Sequence, residues 1–279
     1  MLALLAWNDR PWLDGWQLRF WCLLRLLFLL TACSPPTLPP EPVRFTVAGS
    51  TTMMPLLSEL VEAYQVHFPQ VSIAVEGGGS RLGLVRVKAG EVPLGASSWL
   101  PADEVETLWS APVAVDGIAV VVHPGNPVSG LSLAQLRGVF SGRVWDWAEL
   151  GGAGEVQVVS REEGSGSRSA FEGRIMEGHR VTPTALVMPG SQALVDYVAT
   201  HPKAIGYVSI GYLSEKVKAL AVEGVTPTPE TASEGTYHLT RPLFLVALEE
   251  PDGAPRSFVD FVLGSEGQEI VERRYGRVR

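Results

Sequence analysis

Residues 158–173, VVSREEGSGSRSAFEG, run from an apolar β-branched pair through a Gly–Ser loop into the start of a helical pattern. We predict a strand over residues 155–159, a loop over residues 161–166 and a helix that begins near Ser167. The loop has the composition of an anion-binding turn, and Arg161 stands beside it. The same small polar residues also form ordinary turns and helix caps, so the rest of the sequence must decide between these two interpretations.

Two earlier segments repeat this strand–loop–helix order. The first has a strand at 43–47, a loop at 48–52 and a helix with Pro55 in its first turn, and the second has the same elements at 71–75, 76–80 and 82–87. In the first helix the apolar positions i, i+3, i+4 and i+7 are Leu57, Leu60, Val61 and Tyr64. Short strands that alternate with amphipathic helices predict an α/β fold.

Loops of this kind suit an oxyanion for a physical reason. The first turn of a helix has backbone N–H groups without intrahelical partners, and the aligned peptide dipoles add a partial positive charge there. Glycine lets the backbone approach a ligand closely, and serine or threonine hydroxyls supply further donors. One such loop is weak evidence because it also serves as a cap, but three of them with an adjacent arginine favour a shared anion site.

Composition and standard motifs weigh against several other classes of function. The formal charge of −8 argues against a nucleic-acid partner, since phosphate backbones bind basic surfaces. The nucleotide P-loop and the G-x-S-x-G nucleophile motif are absent from the sequence, and G-x-G-x-x-G fails because Leu82 occupies its last position. The histidines are scattered without metal-ligand spacing, at His67, His123, His179, His201 and His238. We therefore predict no catalytic residue, no metal and no cofactor.

The N-terminal segment has the pattern of a targeting signal. Residues 1–32 place arginines before and within a short apolar run, which predicts a secretory signal peptide. They lead into Leu30-Thr31-Ala32-Cys33, which resembles a bacterial lipobox, so we predict lipidation of Cys33; a plain signal peptide with an incidental cysteine is the alternative. Residues 33–42 form a proline-rich tether. We expect a monomer in the periplasm or at the outer cell surface, lipid-anchored to the membrane.

Several segments, in one order, carry a resemblance to a known family. They are AGSTT at 48–52, GGGS at 77–80, GASS at 95–98, APVAVDGIAV at 111–120, VFSG at 139–142, VSREEGSGSR at 159–168 and AIGYV at 204–208. The most specific element is Arg-x-x-Gly-Ser-Gly-Ser at residues 161–167. Over nearly the whole mature chain, the sequence resembles the substrate-binding lipoproteins of bacterial Pst-type phosphate ABC transporters.

The resemblance implies a particular architecture and partner set. It implies an α/β, two-lobed periplasmic-binding-protein clamshell of type II, in which each lobe is a mixed sheet flanked by helices. Lobe one is then expected at residues 43–119 plus 243–279, and lobe two at 120–242. Two apolar runs, at 117–122 and 242–247, suit the crossover strands. The ligand is expected to be inorganic phosphate, delivered to the membrane permease subunits of an ABC transporter.

The resemblance also implies the residues that contact phosphate. These are Thr51 and Thr52 in the first loop, Ser80 in the second, Ser98, and the element formed by Arg161, Ser165, Gly166 and Ser167. Ser98 departs from several members, which have an aspartate there. An aspartate accepts the proton that phosphate carries and repels sulfate, whereas a serine both accepts and donates, so selectivity is expected to be weaker.

Some assignments stay open at this level. Arg81 reaches either into the cleft or onto its rim, and Arg168 is interpreted as a helix-face residue. Glu162 and Glu163 are expected in solvent, with one of them orienting Arg161 as the alternative. The alternative ligand is another tetrahedral oxyanion such as sulfate. A different class of protein is a secreted phosphatase or serine hydrolase that uses Ser165 or Ser167.

Overall fold

The alternating apolar pattern forms the predicted mixture of strands and helices. The computed structural model describes residues 41–278. The strands in this range are β1 Val43–Gly49, β2 Val71–Gly77, β3 Leu94–Ser97, β4 Trp109–Val122, β5 Gly130–Leu131, β6 Gln157–Arg161, β7 Leu186–Met188, β8 Ala204–Ser209, β9 Lys218–Ala219, β10 Ala221–Val222 and β11 Thr240–Ala247. The predicted signal peptide, the lipidation site Cys33 and nearly all of the tether lie outside the described residues.

The helices follow the strands in the order that the sequence predicts. They are α1 Met54–His67, α2 Ser80–Lys88, α3 Ala102–Val105, α4 Leu133–Phe140, α5 Gly166–Phe171, α6 Ser191–Thr200, α7 Pro229–Ser233, α8 Gly253–Leu263 and α9 Ser265–Glu272. Short 3₁₀ segments lie at Thr51–Met53, Trp147–Leu150 and Ile210–Tyr212, and a π-helical segment, Glu172–Met176, continues α5. Within residues 41–278, no helix is long and apolar enough to cross a membrane.

One mixed sheet runs through the molecule. Its order is β2-β1-β3-β11-β4-β8-β6-β7, and β9 also pairs with β4. β1 is parallel to β2 and β3, β11 is antiparallel to β3 and β4, and β6 is parallel to β7 and β8. The predicted α/β class with a mixed sheet and flanking helices is confirmed.

The long strand β4 joins the two ends of this sheet. It pairs with β11 as far as Gly117, opposite Thr240, and with β8 from Ile118, opposite Ser209. The change of partner therefore falls at the start of the predicted crossover at 117–122. We call β2-β1-β3-β11 the first half of the sheet and β8-β6-β7 the second half. The lobe boundaries at 119, 120, 242 and 243 stay a prediction.

Buried apolar residues pack against both ends of the sheet. On α1, the predicted inward residues Leu57, Leu60, Val61 and Tyr64 are all buried. The helix ends where Phe68 precedes Pro69, which cannot continue the α-helical hydrogen bonds. In the second half, Phe171 stacks on Tyr207 with ring centroids 4.0 Å apart, and Trp147 is fully buried nearby. Trp145, two residues earlier, is 60% exposed and lies on the surface.

Candidate anion-binding site

Three loops meet at the carboxyl ends of β1, β2 and β6. The first loop passes from β1 into the 3₁₀ turn at Thr51–Met53, the second from β2 into α2, and the third from β6 into α5. Backbone hydrogen bonds connect them directly. The Gly79 N–H donates to Gly49 O at 2.9 Å, and the Arg81 N–H donates to Gly164 O at 3.2 Å. The second bond joins the first half of the sheet to the second half.

Hydroxyl groups from both halves lie side by side in this junction. Thr52 Oγ1 and Ser167 Oγ are 2.9 Å apart, although 115 positions separate these residues in the chain. Both side chains are about 1% exposed. A buried hydroxyl without a hydrogen-bond partner destabilises the folded protein, and each of these two hydroxyls has the other as a partner. The structure therefore brings the predicted first-loop and third-loop residues into one place.

A second group of predicted residues lies against the start of α5. Ser80 Oγ is 3.2 Å from Ser98 Oγ and accepts a hydrogen bond from the Ser98 N–H at 3.0 Å. Gly166 packs on both hydroxyls so closely that an added Cβ would lie 2.4 Å from Ser80 Oγ and 2.5 Å from Ser98 Oγ. Ser98, although it replaces the aspartate of several members of the resembled family, is fully buried in this cluster.

Arg161 is a buried guanidinium that reaches across the junction. It is 2% exposed, and its Nη2 donates to Thr51 Oγ1 at 3.1 Å while Nη1 donates to Ser191 Oγ at 3.0 Å. Glu162 accepts from Nε and Nη2, each at 2.9 Å. The glutamate therefore orients Arg161, as one of the two interpretations of the acidic pair predicts. Such two-point pairing fixes the plane of a guanidinium.

The other residues of the third loop have supporting positions. Ser165 is buried, and its Oγ accepts from the Arg168 N–H at 3.3 Å, which makes it the N-cap of α5. Arg168 pairs with Glu172 at 2.9 Å and donates to Arg161 O, in agreement with a helix-face position. Glu163 is exposed. Arg81 is exposed as well, so of its two predicted positions the structure has it at the rim.

Sequence reasoning missed a second buried guanidinium in the site. Arg241 is 4% exposed and donates through Nη2 to Ser167 Oγ at 2.9 Å and to Thr52 Oγ1 at 3.4 Å. Its partner is Asp116, which is completely buried. Burial raises the pKa of Asp116, while the Arg241 guanidinium and the Ser209 hydroxyl act in the opposite direction. A usable signal existed, because each of these charged residues directly precedes an apolar crossover segment.

Two further missed residues come from the second half of the chain. Ser191, at the start of α6, is the Arg161 partner described above. Tyr212 donates from its hydroxyl to Thr51 O at 2.5 Å, and burial raises the pKa of this phenol to about 12. At neutral pH it is therefore a donor to the first loop. Ser191 follows Gly190 at the start of a helix, so the Gly–Ser pattern of the three loops could have marked it, whereas Tyr212 has no such pair beside it.

The chemistry of this junction is that of a donor-rich site. It contains hydroxyls and two guanidiniums, and it includes the start of α5, where the first backbone N–H groups have no intrahelical partner. Such groups match the oxygens of an anion. Among residues 41–278, no cluster of three or more His, Cys, Asp or Glu side chains could hold a metal ion.

Comparison with known proteins identifies the family. Residues 36–266 match a family model described as a PBP superfamily domain. The chain is 30% identical over 255 residues to the phosphate-binding protein PstS of Pseudomonas aeruginosa, covering 80% of this chain and 79% of that protein. PstS of Bacillus subtilis is 29% identical over 239 residues, covering 84% of this chain and 79% of that protein.

Solved structures give the same result. A putative phosphate ABC transporter substrate-binding protein from Clostridium perfringens, solved with bound phosphate, has a TM-score of 0.81 and 34% identity, covering 85% of this chain and all of that one. An ABC-type phosphate transport receptor from Vibrio cholerae has a TM-score of 0.69 and 31% identity, covering 83% of this chain and 99% of that one. The chain therefore belongs to the PBP superfamily and, within it, to the Pst-type phosphate-binding proteins that its sequence resembles.

Proposed function

We propose that this protein captures inorganic phosphate outside the cytoplasmic membrane and delivers it to an ABC transporter for import. The observation that carries this proposal is the contact between Thr52 and Ser167. These buried hydroxyls follow strands from opposite halves of the sheet, lie 2.9 Å apart and accept hydrogen bonds from the buried guanidinium of Arg241. The family relationship supports phosphate as the oxyanion, because both PstS relatives are named phosphate-binding proteins.

Phosphate is proposed to bind to the residues that the resemblance implies. Thr51, Thr52, Ser80, Ser98, Arg161, Ser165, Gly166 and Ser167 supply hydroxyl, amide and guanidinium donors. Roughly six hydrogen bonds to a charged ligand contribute about 9–18 kcal/mol before desolvation and closure costs. A micromolar dissociation constant requires only about 8 kcal/mol. Noncovalent donors are therefore sufficient to retain the ion.

Two lobes are proposed to close around the ion. Lobe one consists of residues 43–119 and 243–279, and lobe two of residues 120–242. Thr52 and Ser80 belong to lobe one, whereas Arg161 and Ser167 belong to lobe two. An ion that accepts hydrogen bonds from both sets stabilises the closed arrangement over the open one. The crossovers at 117–122 and 242–247 are the proposed hinge.

The location follows from the N-terminal sequence and the family. We place the protein on the outer side of the cytoplasmic membrane, where ABC importers receive their substrates. Removal of residues 1–32 and lipidation of Cys33 would anchor it through the tether, and the anchored protein would act as a monomer. Mass spectrometry of the membrane fraction tests this assignment: a diacylated N-terminal Cys33 is expected, and an unmodified Cys33 would contradict it.

Phosphate is favoured over sulfate, but only modestly. Ser98 provides one hydroxyl near Ser80, and a hydroxyl accepts the proton of phosphate less exclusively than a carboxylate does. Isothermal titration after unfolding and refolding, which removes carried-over ligand, tests both points. We expect one phosphate site per chain and weaker sulfate binding. An absence of heat with phosphate, or tighter sulfate binding, would contradict the proposal.

A hydrolase is the less favoured class. A serine nucleophile needs a neighbouring base to take its proton. Ser167 Oγ instead accepts a hydrogen bond from the cationic Arg241, and Ser165 Oγ accepts one from the backbone of Arg168. Both contacts suit binding rather than proton abstraction. Turnover of p-nitrophenyl phosphate that disappears in Ser165→Ala or Ser167→Ala would support a hydrolase instead.

A further inference from the structure

Arg241 and Asp116 form a buried ion pair at the centre of the sheet. They stand opposite each other on neighbouring antiparallel strands, β11 and β4. Asp116 Oδ2 accepts from Arg241 Nε at 3.0 Å and from Nη2 at 2.9 Å, and its Oδ1 accepts from Ser209 Oγ at 2.7 Å. This arrangement uses both carboxylate oxygens and fixes the orientation of the guanidinium. A buried pair of this kind is not by itself stabilising, so its presence calls for another reason.

The guanidinium also extends beyond its carboxylate partner. Nη2 donates to Ser167 Oγ at 2.9 Å and to Thr52 Oγ1 at 3.4 Å. Nη1 is buried and has no hydrogen-bond partner within residues 41–278. An unpaired buried N–H is unfavourable, and native proteins tend to keep such groups where a ligand or water completes them. Arg241 therefore has both used and unused donors beside the two bridging hydroxyls.

We infer that Arg241, oriented by Asp116, is a positioning residue of the oxyanion site that makes Thr52 and Ser167 hydrogen-bond donors. This inference rests on the proposed function, because it concerns the ligand of the same site. The resemblance assigns one arginine, Arg161, to the ligand, whereas Arg241 lies on β11 and contacts a different pair of hydroxyls.

The role of Arg241 follows from the hydrogen-bonding capacity of a hydroxyl. Each hydroxyl has one proton and two acceptor lone pairs. When Arg241 donates to the oxygens of Thr52 and Ser167, it occupies lone pairs and leaves the protons to be directed elsewhere. Without an anion, one hydroxyl donates to the other across 2.9 Å. An anion oxygen accepts from both, so Arg241 favours the anion-bound arrangement of a threonine and a serine from opposite halves.

A purely structural role for the pair makes a different prediction. If Arg241 only braces β11 against β4, its loss lowers the free energy of unfolding but leaves the phosphate affinity of the folded protein unchanged. If Arg241 acts through the hydroxyls, its loss weakens binding only while the hydroxyls are present. A double-mutant cycle separates these cases, because coupling is measured between the two changes.

The first variant, which we call the pair variant, should remove the ion pair without leaving one buried charge unpaired. We use Arg241→Met with Asp116→Asn, since loss of one partner alone is strongly destabilising. The hydroxyl variant is Thr52→Val with Ser167→Ala, and the third protein combines all four changes. The matched control is Arg137→Met, because Arg137 is also a largely buried arginine, bonded to Ile175 O and Glu177. Circular dichroism and thermal melting of each ligand-free protein monitor folding.

Isothermal titration of each refolded protein with inorganic phosphate gives the result. The pair variant is expected to bind about 10- to 100-fold more weakly than wild type, the range for one or two hydrogen bonds in a charged site. When Thr52→Val and Ser167→Ala are already present, adding the same two changes is expected to weaken phosphate binding less than about threefold. Arg137→Met is expected to bind as wild type does.

Each other outcome has a defined meaning. No phosphate heat from wild type would refute the proposed function itself. Wild-type binding together with a change of less than twofold in the pair variant would overturn this inference alone. An equal loss in both backgrounds would also overturn it, because Arg241 would then act independently of the hydroxyls. If the pair variant melts below the assay temperature, titration at a lower temperature applies the same criteria to its folded form.

Discussion

Replacement of Gly166 by alanine tests the contact between the two halves of the site. The backbone of Gly166 lies outside the left-handed region, so the change adds no backbone strain, and its effect is steric. The new Cβ would lie 2.4 Å from Ser80 Oγ and 2.5 Å from Ser98 Oγ. Ordinary contacts are about 3.5 Å, so the halves must separate by about 1 Å or the serines must move.

The loss of phosphate affinity in Gly166→Ala can be estimated from this separation of the two halves. A separation of about 1 Å takes the bond between Thr52 and Ser167 out of hydrogen-bond range, and a ligand held by both halves loses contacts of the same kind. Two lost bonds to a charged ligand, at about 1.5–3 kcal/mol each, correspond to roughly 10²- to 10⁴-fold weaker binding. The free energy of unfolding should change little, since the open form relieves the clash.

Titration calorimetry of Gly166→Ala with phosphate measures this loss, and thermal melting without ligand measures stability. The matched control is Gly173→Ala in the π-helical segment that continues α5, where an added Cβ would meet no atom within 4 Å. The control is expected to bind as wild type does. Wild-type affinity in Gly166→Ala would refute the reasoning, because it would mean that the observed close approach is not needed for binding.

Three other substitutions give independent outcomes. Arg161→Ala removes the guanidinium that contacts Thr51, and its phosphate affinity should fall at least about 100-fold. The control Arg256→Ala, at an exposed arginine paired with Asp260, should bind phosphate normally. Equal affinities of the two variants would contradict a ligand role for Arg161. Ser98→Ala removes one acceptor for the phosphate proton, so phosphate binding should weaken about fivefold and sulfate binding should weaken less. Paired titrations with the two ions measure both affinities. A larger preference for phosphate over sulfate in the variant would oppose this role. Burial raises the pKa of Tyr207 to about 12 from 10.0, so the phenol deprotonates first in the unfolded chain. This contribution to the free energy of unfolding should be fully present below pH 10 and fall by about 2–3 kcal/mol between pH 10 and 12. Urea denaturation at a series of pH values measures this fall, and Tyr207→Phe should reduce it. The same pH dependence in the variant would show that other groups cause the loss.

The local parts of the structure were predictable because they depend on neighbouring residues. The apolar spacing from Leu57 to Tyr64 identifies the buried face of α1, and glycines next to hydroxyl residues identify the loops before α1, α2 and α5. Local composition also singled out Arg161, which stands beside the third loop. These inferences need no knowledge of the tertiary arrangement.

The missed part of the site depends on long-range register. Asp116 and Arg241 are 125 positions apart and meet only because β4 and β11 pair antiparallel in one register. A shift by one residue would point Arg241 to the other face of the sheet. Ser191 and Tyr212 likewise reach the first loop from distant elements. No local pattern encodes such pairings, although a charged residue beside an apolar crossover is a signal that can be sought in other sequences.

The most direct test of the account is a crystal structure of the protein with phosphate. We expect one tetrahedral ion between the halves of the sheet, with oxygens within hydrogen-bond distance of Thr52, Ser80, Arg161 and Ser167. An ion bound only at the exposed rim near Arg81, with none of these four side chains in contact with it, would contradict the account.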